Sequence, residues 1–207
     1  NFRQATPFLT EEYAFNKEQI ATILSCWFWA YGVGQMVNGL LTDRIGGRKA
    51  MIIGAIGTIG ANLLFGASSM AGGFWTFSLI WLMNGYFQSF GAPGMVKMNA
   101  AWFRRTERGA FAGVFGFMIQ LGQIAINRLG PAIIAGFTIF VWSVPALHWK
   151  WLFWIPPMIT ATVAILLAIF VRESPEQAGY HGVIHDELSA DAGVRVTLKE
   201  SFTTIFR

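Results

Sequence analysis

The chain has 207 residues, of which 54% are hydrophobic and only 13% charged, with a net charge of +4. A soluble domain carries about 25% charged residues, so this composition excludes an ordinary soluble globule and points to a membrane protein. The basic residues fall in short turns and form no patch or basic helix face, which excludes nucleic acid as a partner; the single Cys26 excludes a disulfide framework.

A transmembrane helix needs about 20 mostly apolar residues. Residues 1–10, "NFRQATPFLT", are too short to span and read as the outer end of a clipped first helix. Residue 1 is Asn, the first residues do not read as a basic-then-apolar signal segment, and the chain stops at "SFTTIFR" as a new apolar pattern begins, so both ends are read as cut. Complete spans follow at about 19–42, 50–70, 74–103, 108–142 and 149–171. The third of these is broken by "GAPG" at Gly91–Gly94, and the fourth contains Arg128 and Pro131. The expected class is an all-α membrane protein with an N-terminal bundle over 1–171. Residues 172–207 read as a polar cytoplasmic linker whose last part, Val194–Phe206, forms a short surface helix.

Lys and Arg in the short loops set the orientation. One set of loops holds Arg44, Arg48, Lys49, Arg104, Arg105, Arg108 and Arg172, and the other holds Lys17 and Lys150. The first set belongs in the cytoplasm, which places the N-terminus of the intact protein there too. Gly54, Gly57 and Gly60, then Gly109, Gly113 and Gly116, recur at helical spacing and predict close helix packing.

The turn "NGLLTDRIGGRKAMIIG", Asn38–Gly54, sets Asp43, Arg44, Arg48 and Lys49 among Gly39, Gly46 and Gly47. Positive-inside anchoring explains the cations but not the aspartate or the glycines. A charge latch explains all of them: the Asp43 carboxylate pairs with a nearby Arg and with the N-terminus of a neighbouring helix, while the glycines allow the sharp turn. Such a latch suits a bistable machine. The segment Gly39–Lys49 resembles the signature between the second and third helices of the major facilitator superfamily of secondary transporters. "RRTERG", with Arg104, Arg105, Glu107 and Arg108, resembles that family's second cytoplasmic turn. The resemblance implies the N-terminal six-helix half of a twelve-helix protein. A C-terminal half completes it, and substrate binds between the halves by alternating access.

"NFRQATPFL", "NGYFQSFGAPGMVKMNAAWF" and "RESPEQAGY" resemble the organophosphate:inorganic phosphate antiporter family, which implies exchange of phosphate esters for phosphate at the plasma (inner) membrane. An anion:cation symporter family is the competitor. It tends to carry a Glu about fourteen residues before a Trp–Phe pair, where this chain has Gln88 ahead of Trp102. Relatives that sense a sugar phosphate rather than move it are the other alternative. No Asp or Glu lies inside a complete span, which disfavours a proton relay in this half.

Charge inside the bilayer costs at least ~2.5 kcal/mol for Arg or Lys, so embedded cations are functional by default. Three qualify as ligands for a small anionic substrate: Arg3, Lys97 and Arg128, the last beside Gln120, Gln123 and Asn127. Lys97 also reads as a side chain snorkelling to the cytoplasmic headgroups, and Arg128 as an outer anchor. Tyr31, Gln35 and Asn38 share one face of the second helix, lining a cavity or bonding a neighbouring helix. The antiporter family's first-helix Arg lies ahead of Asn1, and its second-helix Lys is replaced here by Gln35. A belt at the membrane interfaces accounts for most of Trp27, Trp29, Trp75, Trp81, Trp142, Trp149 and Trp151. His148, His181 and His185 lack metal spacing within a span. No metal, cofactor or enzymatic motif is expected.

Overall fold

The computed structural model describes residues 1–68, 72–139 and 142–180. Seven helices carry nearly all of it: α1 Phe2–Tyr13, α2 Lys17–Ile45, α3 Gly47–Ala67, α4 Phe74–Gln88, α5 Gly91–Trp102, α6 Arg108–Ala135 and α7 Trp151–Phe170. Of these, α2, α3, α6 and α7 are long and apolar enough to cross a membrane, and α4 with α5 make one broken crossing. The proposed surface helix at Val194–Phe206, with His181 and His185, lies outside the described residues.

Local chemistry explains the helix ends. Asn16 caps α2 by accepting from the Gln19 backbone N–H at 2.8 Å, and the Gln19 side chain accepts from Asn16 N–H at 3.0 Å. This is a reciprocal capping box. The span expected over 74–103 does not break at "GAPG": it breaks just before it, at Ser89–Phe90, and Gly91 opens α5. Pro93 then sits in the first turn of α5, where its missing N–H is not needed.

The span expected over 108–142 is shorter than the apolar run. Helix α6 ends at Ala135 because Gly136 takes φ 78°. The β-branched and aromatic residues beyond pair as a small antiparallel hairpin, β1 Phe137–Ile139 with β2 Trp142–Val144, in register Thr138 opposite Ser143.

The core is an aromatic cluster joining α1, α3, α4 and α7. Phe65 lies 4.4 Å from Phe153 and 4.9 Å from Trp81, and Phe2 stacks on Trp81 at 5.1 Å. Trp81 and Trp149 are therefore core residues rather than members of an interfacial belt, at 5% and 2% exposure. Trp29 and Trp75 are instead exposed, at 75% and 79%; Trp75 lies at the start of α4, whereas Trp29 lies mid-way along α2. Pro156 cannot donate to the Leu152 carbonyl, and the Asn1 side chain supplies the missing donor at 3.2 Å.

The glycine stripes divide. A Cβ on Gly54 would meet Phe87 O and Phe90 Cβ at 2.9 Å, so α3 and α4 need that glycine to approach. Gly60, Gly109, Gly113 and Gly116 face open space among the described residues. The packing expected of them is absent among the described residues.

Candidate functional site

The turn between α2 and α3 is a single residue, Gly46, at φ 97°. Its N–H bonds the Thr42 carbonyl at 2.9 Å, and a side chain there would meet the Glu173 carboxylate at 2.8 Å. Gly47 begins α3 against α5: a Cβ would lie 2.8 Å from the Gly94 carbonyl. Gly39, by contrast, lies inside α2 with open space around it and takes no part in the turn.

A carboxylate does hold the α3 N-terminus, but it is Glu173 rather than Asp43. The Gly47 N–H donates to Glu173 Oε1 at 2.5 Å and the Arg48 N–H to Oε2 at 3.0 Å. Two orphan N–H groups and the positive end of the helix dipole meet one negative charge. The Arg48 guanidinium donates from Nη2 to the Ala168 carbonyl near the end of α7. Asp43 is exposed and makes no side-chain hydrogen bond or ion pair with a described residue; Arg44 and Lys49 are also exposed. The expected Asp43–Arg pairing is corrected on that ground: the end of α7 delivers a carboxylate closer to the α3 N-terminus. The only trace in the sequence is an acid directly after Arg172, more than a hundred positions from the helix it caps.

Lys97 projects from α5 onto the other side of the same turn. Its Nζ donates to the carbonyls of Thr42 at 3.0 Å and Asp43 at 2.7 Å. A cation satisfying the last carbonyls of α2 is favourable with the dipole. Arg108 repeats the device for α5, donating to the carbonyls of Phe103 at 3.0 Å and Ala100 at 2.9 Å. Glu107 closes the second turn by accepting from the Arg104 N–H at 3.1 Å. Arg104 and Arg105 are exposed.

The remaining embedded cations lie elsewhere. Arg3 is ten residues from the C-terminal end of α1 and Arg128 seven from that of α6, about 15 and 10 Å at 1.5 Å per residue. Their neighbours meet: Gln4 donates to Asn127 at 3.3 Å and packs on Gly130. Arg3 and Arg128 thus flank one α1–α6 seam. Both are exposed, as is Gln120, and neither guanidinium has a hydrogen-bond or ion-pair partner among the described residues. Lys97 is not brought to them.

On α2, Tyr31 stacks on Trp27 at 5.0 Å, and Gln35 is half-buried. Asn38 is fully buried and clamps α2 to α4, donating to Ser89 Oγ at 2.7 Å and Tyr86 O at 3.2 Å. A second amide chain was not expected. Asn1 donates to Asn62 at 3.2 Å, Asn62 to Asn84 at 3.2 Å, and Gln88 to the same Asn84 oxygen at 3.1 Å. Gln88 is therefore part of a neutral network linking α1, α3 and α4. Isolated Asn residues in apolar runs are the only sequence trace of it.

Comparison with known proteins bears on what this arrangement belongs to. The Major Facilitator Superfamily family model matches residues 2–204. The chain belongs to the Major Facilitator Superfamily. Among similar facilitators, the "Membrane sensor protein UhpC" of Escherichia coli (strain K12) is 30% identical over 98% of this chain and 45% of its own length. The "Probable hexose phosphate transport protein" of Chlamydia pneumoniae is 26% identical over 98% of this chain and 44% of its own. The "Glycerol-3-phosphate transporter" of Bacillus subtilis (strain 168) is 28% identical over 86% and 38% respectively. These are the relatives that the resemblance to organophosphate:inorganic phosphate antiporters implies, and none is named as an enzyme. The chain spans less than half the length of each, and like them it is a multi-pass membrane protein of this superfamily.

Proposed function

We propose that this facilitator is part of a secondary transporter for small organic anions, exchanging phosphate esters for phosphate by alternating access. The carrying observation is the α1–α6 seam, where Arg3 and Arg128 flank the Gln4–Asn127 contact at membrane depth with no acid beside them. Guanidinium groups without partners are suited to phosphate oxygens, which they take bidentately. Gln120, Tyr31 and Gln35 shape the surrounding surface. A second six-helix half of the same protein supplies the other wall.

In this reading the cytoplasmic turn is the gate. Glu173, Gly46, Gly47, Arg48 and Lys97 hold α2, α3, α5 and α7 together, while Asp43, Arg44 and Lys49 remain available to the other half. The seven-to-two loop charge ratio supports a cytoplasmic position for this turn and for the N-terminus of the intact protein; a plasma (inner) membrane is part of the same proposal.

The test is counterflow with the full-length protein in proteoliposomes loaded with unlabelled phosphate. Uptake of labelled phosphate that sugar phosphates or glycerol phosphate inhibit supports the reading. Carboxylate uptake driven by a proton or sodium gradient, with no phosphate exchange, overturns it in favour of a symporter; Gln88, neutral and bonded to Asn84, speaks against that coupling. A second reading, a membrane sensor of sugar phosphate, is favoured by the similarity to UhpC over 98% of the chain. Binding without flux would select it.

A further inference from the structure

The cytoplasmic ends of α3, α5, α6 and α7 enclose a cleft of about 450 Å³, separate from the α1–α6 seam. Met51, Met98, Phe103, Phe111 and Leu167 form its walls, and Phe170, 72% exposed, stands at its mouth. Its charged lining residues are two arginines, Arg48 and Arg172. The volume falls within the usual range for small-molecule sites.

Three features define the occupant. The mouth lies beside α7, a helix without a charged residue, whose exposed side chains include Ile159, Val163, Leu166 and Ile169. It therefore opens to hydrocarbon. The cationic end has no acid of its own, because the nearby Glu173 carboxylate is taken up by two backbone N–H groups. Finally, Arg48 Nε is buried with no acceptor, although Nη2 is bonded to Ala168 O. A buried guanidinium N–H without an acceptor is costly.

We infer that the cleft binds an anionic phospholipid of the cytoplasmic leaflet. One acyl chain lies between α5 and α7, and the phosphate oxygens accept from Arg48 and Arg172. Arginines beside a groove on the cytoplasmic side are suited to such headgroups. A zwitterionic lipid would bring an ammonium that finds no free carboxylate there. Because Arg48 is also in the first turn of α3, the lipid contacts the gating turn directly. This site does not depend on which solute the protein carries.

The test uses full-length protein in phosphatidylcholine nanodiscs doped with either phosphatidylglycerol or phosphatidylcholine bearing a diazirine on the acyl chain. Cross-links are mapped by peptide mass spectrometry. Phosphatidylglycerol is expected to label residues 95–103 and 167–171 preferentially. That labelling should fall at least ~10-fold in an Arg48→Gln, Arg172→Gln variant, as loss of two charge-assisted hydrogen bonds implies. If that variant does not fold, Met98→Trp, Phe111→Trp, which narrows the cleft and keeps both arginines, should also reduce the label. Equal labelling of these segments by both lipids, or phosphatidylglycerol labelling that neither change reduces, would overturn the site.

Discussion

The turns between α2 and α3 and between α5 and α6, on one side, and the α1–α6 seam, on the other, use the same residue types to opposite ends. At the turns, every cation with a defined contact is committed to backbone: Lys97 to the end of α2, Arg48 to the end of α7, Arg108 to the end of α5. At the seam, Arg3 and Arg128 have neither backbone nor carboxylate partners among the described residues. A charge that completes a helix terminus is structural in the state observed. A charge held at membrane depth without such a partner carries a desolvation cost that a ligand anion offsets.

The largest effects should come from the seam. Arg3→Gln or Arg128→Gln in the full-length protein is expected to raise the apparent KM for phosphate-ester exchange roughly 10- to 100-fold. That range corresponds to about 1.5–3 kcal/mol for a charged hydrogen bond. Membrane insertion should be unchanged, checked by surface labelling. Arg128→Lys should recover part of the loss, because charge is kept and the planar fork is not.

The packed face comes next. Gly57→Leu drives a side chain into the Phe87 ring, and should cost about 1–3 kcal/mol by overpacking, measured as lowered thermal stability in detergent. Gly113→Leu, on the open face of α6, should leave that stability nearly unchanged.

Glu173→Gln removes the charge at the α3 N-terminus and is expected to cost about 1 kcal/mol. The readout is lowered thermal stability of the purified protein in detergent. Asp43→Asn is the smallest change: with no partner here, it should shift thermal stability by less than ~0.5 kcal/mol. A large loss of stability on Asp43→Asn would show that Asp43, and not Glu173, holds the turn.

Much of this was legible in the sequence, for physical reasons. The apolar runs and the Gly46–Gly47 turn follow from composition and backbone freedom. The superfamily follows from "GLLTDRIGGRK". Four things were not legible. The apolar character of "FTIFVWSV" continues past Ala135, so hydropathy alone could not see Gly136 end the helix. The partner of the α3 N-terminus comes from residues more than a hundred positions away, and only the folded chain brings Glu173 there. Lys97 reads identically as a ligand or as a cap until the carbonyls of Thr42 and Asp43 are placed beside it. Asn62 and Asn84 carry no spacing pattern, because an amide network needs only one residue per helix.

The most direct test of the division between seam and turn is equilibrium binding of radiolabelled inorganic phosphate to purified full-length protein. Three variants suffice: Arg3→Gln, Arg128→Gln and Lys97→Gln. The account predicts that the first two each weaken binding at least ~10-fold, by loss of a charge-assisted hydrogen bond, while Lys97→Gln binds within about twofold of the parent. Binding abolished by Lys97→Gln and unaffected by the two arginine changes would contradict it, and would move the anion site to the cytoplasmic turn.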